Sequence, residues 1–314
     1  MNNESLAVLV LTNRLVTTSA KSFSSREIWQ LRERLPDLAV IFESSAEDLS
    51  KHFGLRPADS ARIAQLTENA TATTFAIEQL EESGIKVLTV FDDLFPSCFV
   101  ERLGSRSSVF VLAAGDLGLL TGTSRGIVGS RNANADAIEV ANLAGHAAIS
   151  RGEHVVSGLA KGIDRAGMTA AIESGGKVIG ISSEGIRRTI RGAEVRNLIH
   201  EGRMCLVSPF GPDARFTVGN AMGRNRFIYA LSASTLVVAS EDRKGGTWAG
   251  AEEALKWRFG QVDVWTGHGA TNGNHELVAL GASAVSDRDY FWKQDFDASP
   301  SGVNHDPEQL NLLD

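Results

Sequence analysis

The chain has 314 residues, 43% of them hydrophobic and 7% aromatic, with 31 glycines and a formal net charge of −7. This length and apolar content exclude a disordered chain and leave room for two domains, or one large α/β domain with a small appendage. The acidic balance excludes a uniformly basic nucleic-acid coat but not a local basic patch. Cys98 and Cys205 each sit among apolar residues and are expected as reduced core thiols of a cytoplasmic protein. The seven histidines show no ligand spacing, so no metal or cofactor is expected, and no run of eighteen apolar residues is present to cross a membrane.

Residues 1–83 read as a small all-helical domain. Ser24 and Ser25 offer helix caps, Ile28, Leu31 and Leu35 recur at helical spacing, and Pro36 closes that segment. Further on, Leu49, Phe53 and Leu55 flank Gly54, and Pro57 with Asp59 restarts a helix on Ile63 and Leu66. The unit is similar to a helix-hairpin-helix of SAM-like type. It lacks a second glycine and basic flanks, which favours a plain αα-hairpin with Gly54 at the first helix's C-cap.

From Gly84 the texture changes. IKVLTVFDDLFP reads as a strand ending in an Asp-Asp turn, and SSVFVLAAGDLGLL as a second apolar run. Beyond Gly126 short β-branched runs (GIVG, HVVS, KVIGIS, MCLVS, TLVVAS, VDVWT) alternate with helical stretches. The expected fold class over residues 84–286 is therefore α/β: an extended Rossmann-like, doubly wound, mainly parallel sheet. Ile138, Ala141, Ala144 and Ala148 give one helix a face of small residues that lies close to that sheet. Residues 287–314 form an acidic tail, with nine Asp and Glu against two Lys and Arg from Val262 onward, and are expected to be poorly ordered.

Two glycine turns, each leaving an apolar run and entering a helix, stand at the centre of this pattern. Gly129, Ser130 and Arg131 offer close backbone approach, a hydroxyl and a guanidinium; Ser157, Gly158, Lys161 and Gly162 repeat the theme after the next strand. Asp164 reads as a helix N-cap rather than an acid catalyst. Neither turn has GxxxxGK[ST] or GxGxxG spacing, so the common triphosphate and dinucleotide sites are excluded. Residues 187–226 carry eight arginines against Glu194, Glu201 and Asp213, a local +5 in an acidic protein. Within that patch Arg224, Asn225 and Arg226 are expected to begin a helix whose Phe227, Ile228 and Leu231 face the sheet. Gly245, Gly246 and Thr247 mark another strand-to-helix turn, and the neighbouring Trp248 is more consistent with core packing than with base stacking. Such a row of anion-seeking groups suits a phosphate-bearing ligand, and a groove of arginines tracks a single-stranded backbone.

These residues resemble the DNA-processing protein A (DprA/Smf) family. The similar motifs are GSR at 129–131, SGLAKGID at 157–164, RNRFIYALS at 224–232 and GGT at 245–247. The resemblance implies a single-stranded-DNA-binding, dimerising recombination mediator that loads the RecA recombinase and carries out no catalysis, with Arg131, Lys161, Arg224 and Arg226 in phosphate contact. The chain departs from the family pattern after GID, where it reads RAGM, and no C-terminal winged helix matches its tail. KGGTWAGAE is also similar to the PGGxGTxxE turn of the related lysine-decarboxylase-like phosphoribohydrolases, with Glu252 at the glutamate position but Trp248 and Ala249 replacing Gly-Thr. The alternative function is accordingly a nucleotide-sensing or nucleoside-monophosphate-cleaving protein. Separately, Gln309, Leu310, Leu312 and Leu313 are similar to the pentapeptide by which bacterial proteins dock on the replication sliding clamp.

Overall fold

The structure, a computed structural model, describes residues 1–16 and 18–292. Five helices precede the first strand: α1 (Asn3–Thr12), α2 (Ser25–Arg34), α3 (Ala46–Phe53), α4 (Pro57–Thr67) and α5 (Ala70–Glu82). The middle of α1 is apolar on every side, and Ala7 through Leu11 are buried together, so the other helices can enclose it. Ser24 and Glu27 form a capping box at the start of α2. Gly54, with φ of +63°, ends α3 in the left-handed conformation, so α3 and α4 form the plain αα-hairpin. Arg62 of α4 clips this region shut. Its Nε donates to the Lys21 carbonyl at 2.7 Å, its Nη1 donates to Glu27 at 2.7 Å, and its guanidinium carbon lies 3.6 Å from the Phe23 ring centroid.

The remainder is a nine-stranded sheet of β1 (Ile85–Thr89), β2 (Phe110–Gly115), β3 (Ser124–Gly129), β4 (His154–Ser157), β5 (Val178–Ile181), β6 (Met204–Ser208), β7 (Ser234–Ala239), β8 (Gln261–Trp265) and β9 (Ser283–Val285). Its order is β1-β2-β6-β5-β4-β3-β7-β8-β9. Pairing is antiparallel only at β1–β2 and β2–β6, so β2 alone runs against the rest. The interleaved helices are α6 (Ser97–Leu103), α7 (Ala135–Ser150), α8 (Ile163–Glu173), α9 (Ile186–Thr189), α10 (Ala193–His200), α11 (Val218–Leu231), α12 (Gly245–Trp257) and α13 (Asn272–Ala279). This is the expected Rossmann-like class, an α/β fold with a mainly parallel sheet and helices leading into it.

Three cores hold the layers together. Phe99 of α6, Phe227 and Ile228 of α11 and Trp248 of α12 pack on one face of the sheet; Ala137, Val140, Ala141 and Ala144 of α7 with Met168 of α8 pack on the other. Helices α7 and α8 touch closely because Gly145 has no Cβ: one placed there would stand 2.4 Å from the Gly167 carbonyl oxygen. In the third core, α1 and its neighbours share buried contacts with Val87, Phe110, Leu112 and Leu206 of β1, β2 and β6. From β3 the chain winds outward through β4, β5 and β6, then returns along α11 to β7 on the other side of β3. That reversal opens a crevice at the carboxyl ends of β3 and β7, where ligands bind in open α/β sheets.

The described residues extend past the expected start of the tail. Residues Arg288–Trp292 form a 3-10 turn in which Tyr290 donates to Asp263 at 3.0 Å, Phe291 stacks on Trp265 with centroids 5.9 Å apart, and Arg151 donates to the Phe291 carbonyl at 2.6 Å. Two aromatics overcome the acidic composition there, whereas residues 293–314, including Gln309, Leu310, Leu312 and Leu313, lie outside the described residues.

The hydrogen bond from Arg62 holds the Glu27 carboxyl down at about 2, from an ordinary 4.5. Because the folded value lies below the unfolded one, this stabilisation is complete above pH 4.5 and is lost as the pH falls toward about 2. Allowing for partial solvent screening, urea unfolding across that window should show a loss of about 1–2 kcal/mol that Glu27→Gln removes. An identical acid slope in the variant would contradict the assignment.

Candidate functional site

The two glycine turns press directly against each other at the sheet's carboxyl end. A Cβ on Gly129 would stand 2.6 Å from the Ile163 side chain, and one on Gly162, whose φ is +79°, would stand 2.4 Å from the Ser130 carbonyl oxygen. Only glycine allows this contact. Asp164 then ties the turns together: its carboxylate accepts from the Gly129 amide at 3.3 Å and from the Gly158 amide at 3.1 Å. It does not cap its own helix. Gly162 is the N-cap of α8, and Asp164 stands within the first turn. The carboxylate is spent on two separate loops rather than on one helix end.

Over this junction lies Arg224. Its Nη1 is 3.9 Å from Asp164, too long for a hydrogen bond, and its Nε and Nη1 are buried with no partner among the described residues. Only 5% of the residue is exposed. The guanidinium fits because Gly158 beneath it has no side chain: a Cβ there would be 1.1 Å from Nη1. Burial pushes the Asp164 carboxyl above the usual carboxylate range, with Arg224 and the backbone amides opposing it; burial likewise pulls the Arg224 guanidinium down, with Asp164 opposing. A guanidinium stays charged in a protein, so Arg224 is a buried cation with Nε and Nη1 unspent.

The crevice above this pair has a volume of about 1010 Å³. Gly129, Ser130 and Arg131 of the β3 turn, Arg224 and Asn225 of α11, and Gly245, Gly246 and Thr247 of α12 all line it, so the structure brings together groups from three separate stretches. The Asn225 side chain donates to the Gly246 carbonyl at 2.9 Å, which fixes the α12 turn beside α11. No side chain caps α12, leaving its first amides directed to the crevice end of the sheet. Trp248 is buried in the core beneath this turn and touches the crevice only as part of its wall.

Other expected site residues are placed elsewhere. The Ser157 hydroxyl is buried and donates to the Ile127 carbonyl, so it braces β4 against β3. Gly158 and Gly162 act beneath and beside the crevice, and Lys161 is exposed on the same loop without lining it. Arg226 turns away and pairs with Glu253 of α12 at 2.9 Å. Its separation from Arg224 follows from the helix. The motif RNR does not begin α11, because Thr217 caps that helix at Val218 by accepting from Asn220. Mid-helix residues two apart point to different faces. The arginine patch is also thinner than its count. Arg187 pairs with Asp213, Arg188 with Glu184, and Arg203 donates to the Ile172 and Gly176 carbonyls.

Sequence reading missed several lining groups. Lys244 and Arg243 stand beside the α12 turn, with Arg243 paired to Glu276 at 3.0 Å. Phe216, Val218 and Met222 form an apolar lip. The run FTVGNAM is amphipathic only once the helix is known to start at Val218. Glu252 is exposed on the crevice wall, in company with Glu241 and Glu276.

Comparison with known proteins agrees with this architecture. Residues 86–294 match the family model described as DNA recombination-mediator protein A. The chain is similar to the DNA processing protein DprA of Bacillus subtilis, at 29% identity over 166 residues covering 52% of this chain and 55% of that protein. It spans about half the length of the curated relatives it matches. Among solved structures it resembles DprA of Streptococcus pneumoniae, at a TM-score of 0.58 and 22% identity over 88% of this chain and 100% of that one. It also resembles DprA of Helicobacter pylori, a structure described for its unique single-stranded DNA binding mode, at 0.55 and 22% identity over 66% and 94%. Matched across most of its length by one family model, on a sheet of the same fold, the chain belongs to the DNA recombination-mediator protein A family.

Proposed function

We propose that this protein binds single-stranded DNA in the crevice at the ends of β3 and β7 and serves as a recombination mediator that delivers the strand to a RecA recombinase. The observation that carries this reading is Arg224, a buried guanidinium at the topological switch point that makes no hydrogen bond among the described residues. Burying donors without acceptors is costly, and phosphate oxygens match the guanidinium fork. Arg131 and Lys244 supply further cations at the opening, and the uncapped first turn of α12 supplies amide donors. A volume of about 1010 Å³ exceeds what one phosphate fills, which favours several nucleotides. The family to which the chain belongs and the single-stranded DNA binding mode of the Helicobacter pylori relative support a DNA strand as that ligand.

By family resemblance the protein is a cytoplasmic homodimer with a binding rather than catalytic role. No helix among the described residues is long and apolar enough to cross a membrane. Phosphate contact is assigned to Gly129, Ser130, Arg131, Arg224 and the α12 turn, with Lys161 at the edge. Residues 84–286 form the DNA-binding unit, and residues 1–83 its helical companion. Trp248, filling core volume where the phosphoribohydrolases carry a Gly-Thr pair, supports a binding site over one built around Glu252. Sliding-clamp docking through Gln309, Leu310, Leu312 and Leu313 rests on the pentapeptide alone.

Fluorescence anisotropy with a short labelled single strand, repeated across salt, tests the reading. Affinity should fall steadily with salt, and Arg131→Ala should weaken it on every sequence and make the log–log slope shallower by about 0.7, the share of one phosphate contact on a single strand. Arg226→Ala, which breaks a pair outside the crevice, should leave affinity unchanged. No binding at low salt, or equal affinity in the Arg131 variant, would overturn the proposal.

A further inference from the structure

The turn that leads from β7 into α12 carries Glu241, Arg243, Lys244 and Gly245 to the crevice wall, and helix α13 holds it from behind. Strands β7 and β8 pair as far as Val237 and Val264 and then part. Asn274, fully buried in the first turn of α13, fills the fork between them. Its Oδ1 accepts from the Ser240 amide at 2.8 Å, and its Nδ2 donates to the Val238 carbonyl at 2.8 Å and to the Trp265 carbonyl at 2.7 Å. Thr271, at the N-cap of α13, donates to the Ser240 carbonyl at 2.6 Å. Gly273 lets the helix come this close, since a Cβ there would stand 2.4 Å from that same carbonyl oxygen. Beyond it Glu276 pairs with Arg243 at 3.0 Å, and Arg243 itself takes a φ of +51°. Between the two β7 residues that Asn274 bonds stands Ala239, whose carbonyl accepts from the Ser130 amide at 2.8 Å.

We propose that Asn274 is a positioning residue for the single-strand site: by fixing the end of β7 on both sides of Ala239, it sets where Lys244 and the turn of Ser130 and Arg131 stand. This rests on the reading of the crevice as a single-strand site and deepens it. A planar amide with one acceptor and two donors matches the three backbone groups it meets. An apolar side chain of the same size would leave an amide and two carbonyls buried and unpaired where the strands no longer bond each other. Asn274 thereby does between β7 and β8 what Asp164 does between β3 and β4, and the crevice is hung between these two buried side chains. Groups that contact a ligand must be held to within about 0.5 Å. The sheet, packed through three cores, tolerates a looser β7 end than the site does.

The test measures the affinity of a labelled single strand across salt for the wild type, Asn274→Ala, Lys244→Ala, the double variant and Thr271→Val, well below the melting temperature of each. Asn274→Ala should bind about tenfold more weakly, with a log–log salt slope shallower by about 0.7, the share of one phosphate contact. Because Asn274 acts partly through Lys244, the double variant should lose less than the two single losses multiplied together. A folded Asn274→Ala protein with a lower melting temperature but wild-type affinity and slope would make the residue a structural brace only and overturn the proposal. Losses that multiply in full would overturn it as well. Should Asn274→Ala not fold, Thr271→Val decides: it removes one bond to Ser240 with little change of volume and should weaken binding about two- to tenfold, whereas wild-type affinity in that variant overturns the proposal. Failure of the wild type to bind any single strand would instead remove the reading of the crevice on which the positioning role depends.

Discussion

The Asp164 carboxylate, shared between the amides of Gly129 and Gly158, is the interaction on which the site depends. It joins the ends of two neighbouring parallel strands, and the absence of side chains at Gly129 and Gly162 lets those ends meet. Having spent its oxygens on backbone, Asp164 compensates the charge of Arg224 at 3.9 Å but does not satisfy its donors. A buried ion pair with full hydrogen bonding would be a closed structural element; this one is half closed. Arg224 also forms part of the crevice wall, where the proposed strand would meet its guanidinium.

The rest of the molecule holds this junction from the other side. At the opposite end of the strands Arg125 pairs with Glu153 at 2.9 Å, Asp263 accepts from Ser234 at 2.7 Å, and Tyr290 closes onto the same carboxylate. That end is dense with ion pairs and hydrogen bonds, although the Thr235 hydroxyl there has no partner among the described residues, and the crevice end carries the uncapped helix, the unspent guanidinium and the exposed lip. On one flank the other leading helices pack around α1 against β1, β2 and β6, so they extend the core rather than hang from it. A well-paired far end beneath an open crevice suits a rigid scaffold presenting a site.

Much of this was legible in the chain. The β-branched runs at regular intervals specify the parallel sheet, and the glycines at 129, 158 and 162 stand at strand ends where a Cβ would collide with a neighbouring turn or side chain. Gly245, Gly246 and Thr247 fall where the next turn was expected. The illegible part is directional. Arg224 and Arg226 look equivalent in sequence, but the Thr217 cap sets the helical phase and sends one into the crevice and the other to Glu253. Ser157 is drawn inward by a carbonyl of a neighbouring strand, a partner 30 residues away. The buried helix α1 was invisible for a different reason: a helix enclosed on all sides has no amphipathic period to read. Likewise Tyr290 and Phe291 anchor a segment whose composition alone suggests a loose tail.

The proposed single-strand site depends on the position of the Arg224 guanidinium and not merely on the number of nearby charges. Gly158→Ala tests it most directly, because the added methyl would fall 1.1 Å from Arg224 Nη1 and so displaces the fork without altering any charge. Displacing the end of a flexible side chain leaves the fold in place, which circular dichroism and thermal melting verify. The expected result is a folded protein whose affinity for a single strand drops at least about tenfold, the loss of one charge-assisted bidentate contact. A folded Gly158→Ala protein with wild-type affinity would contradict it.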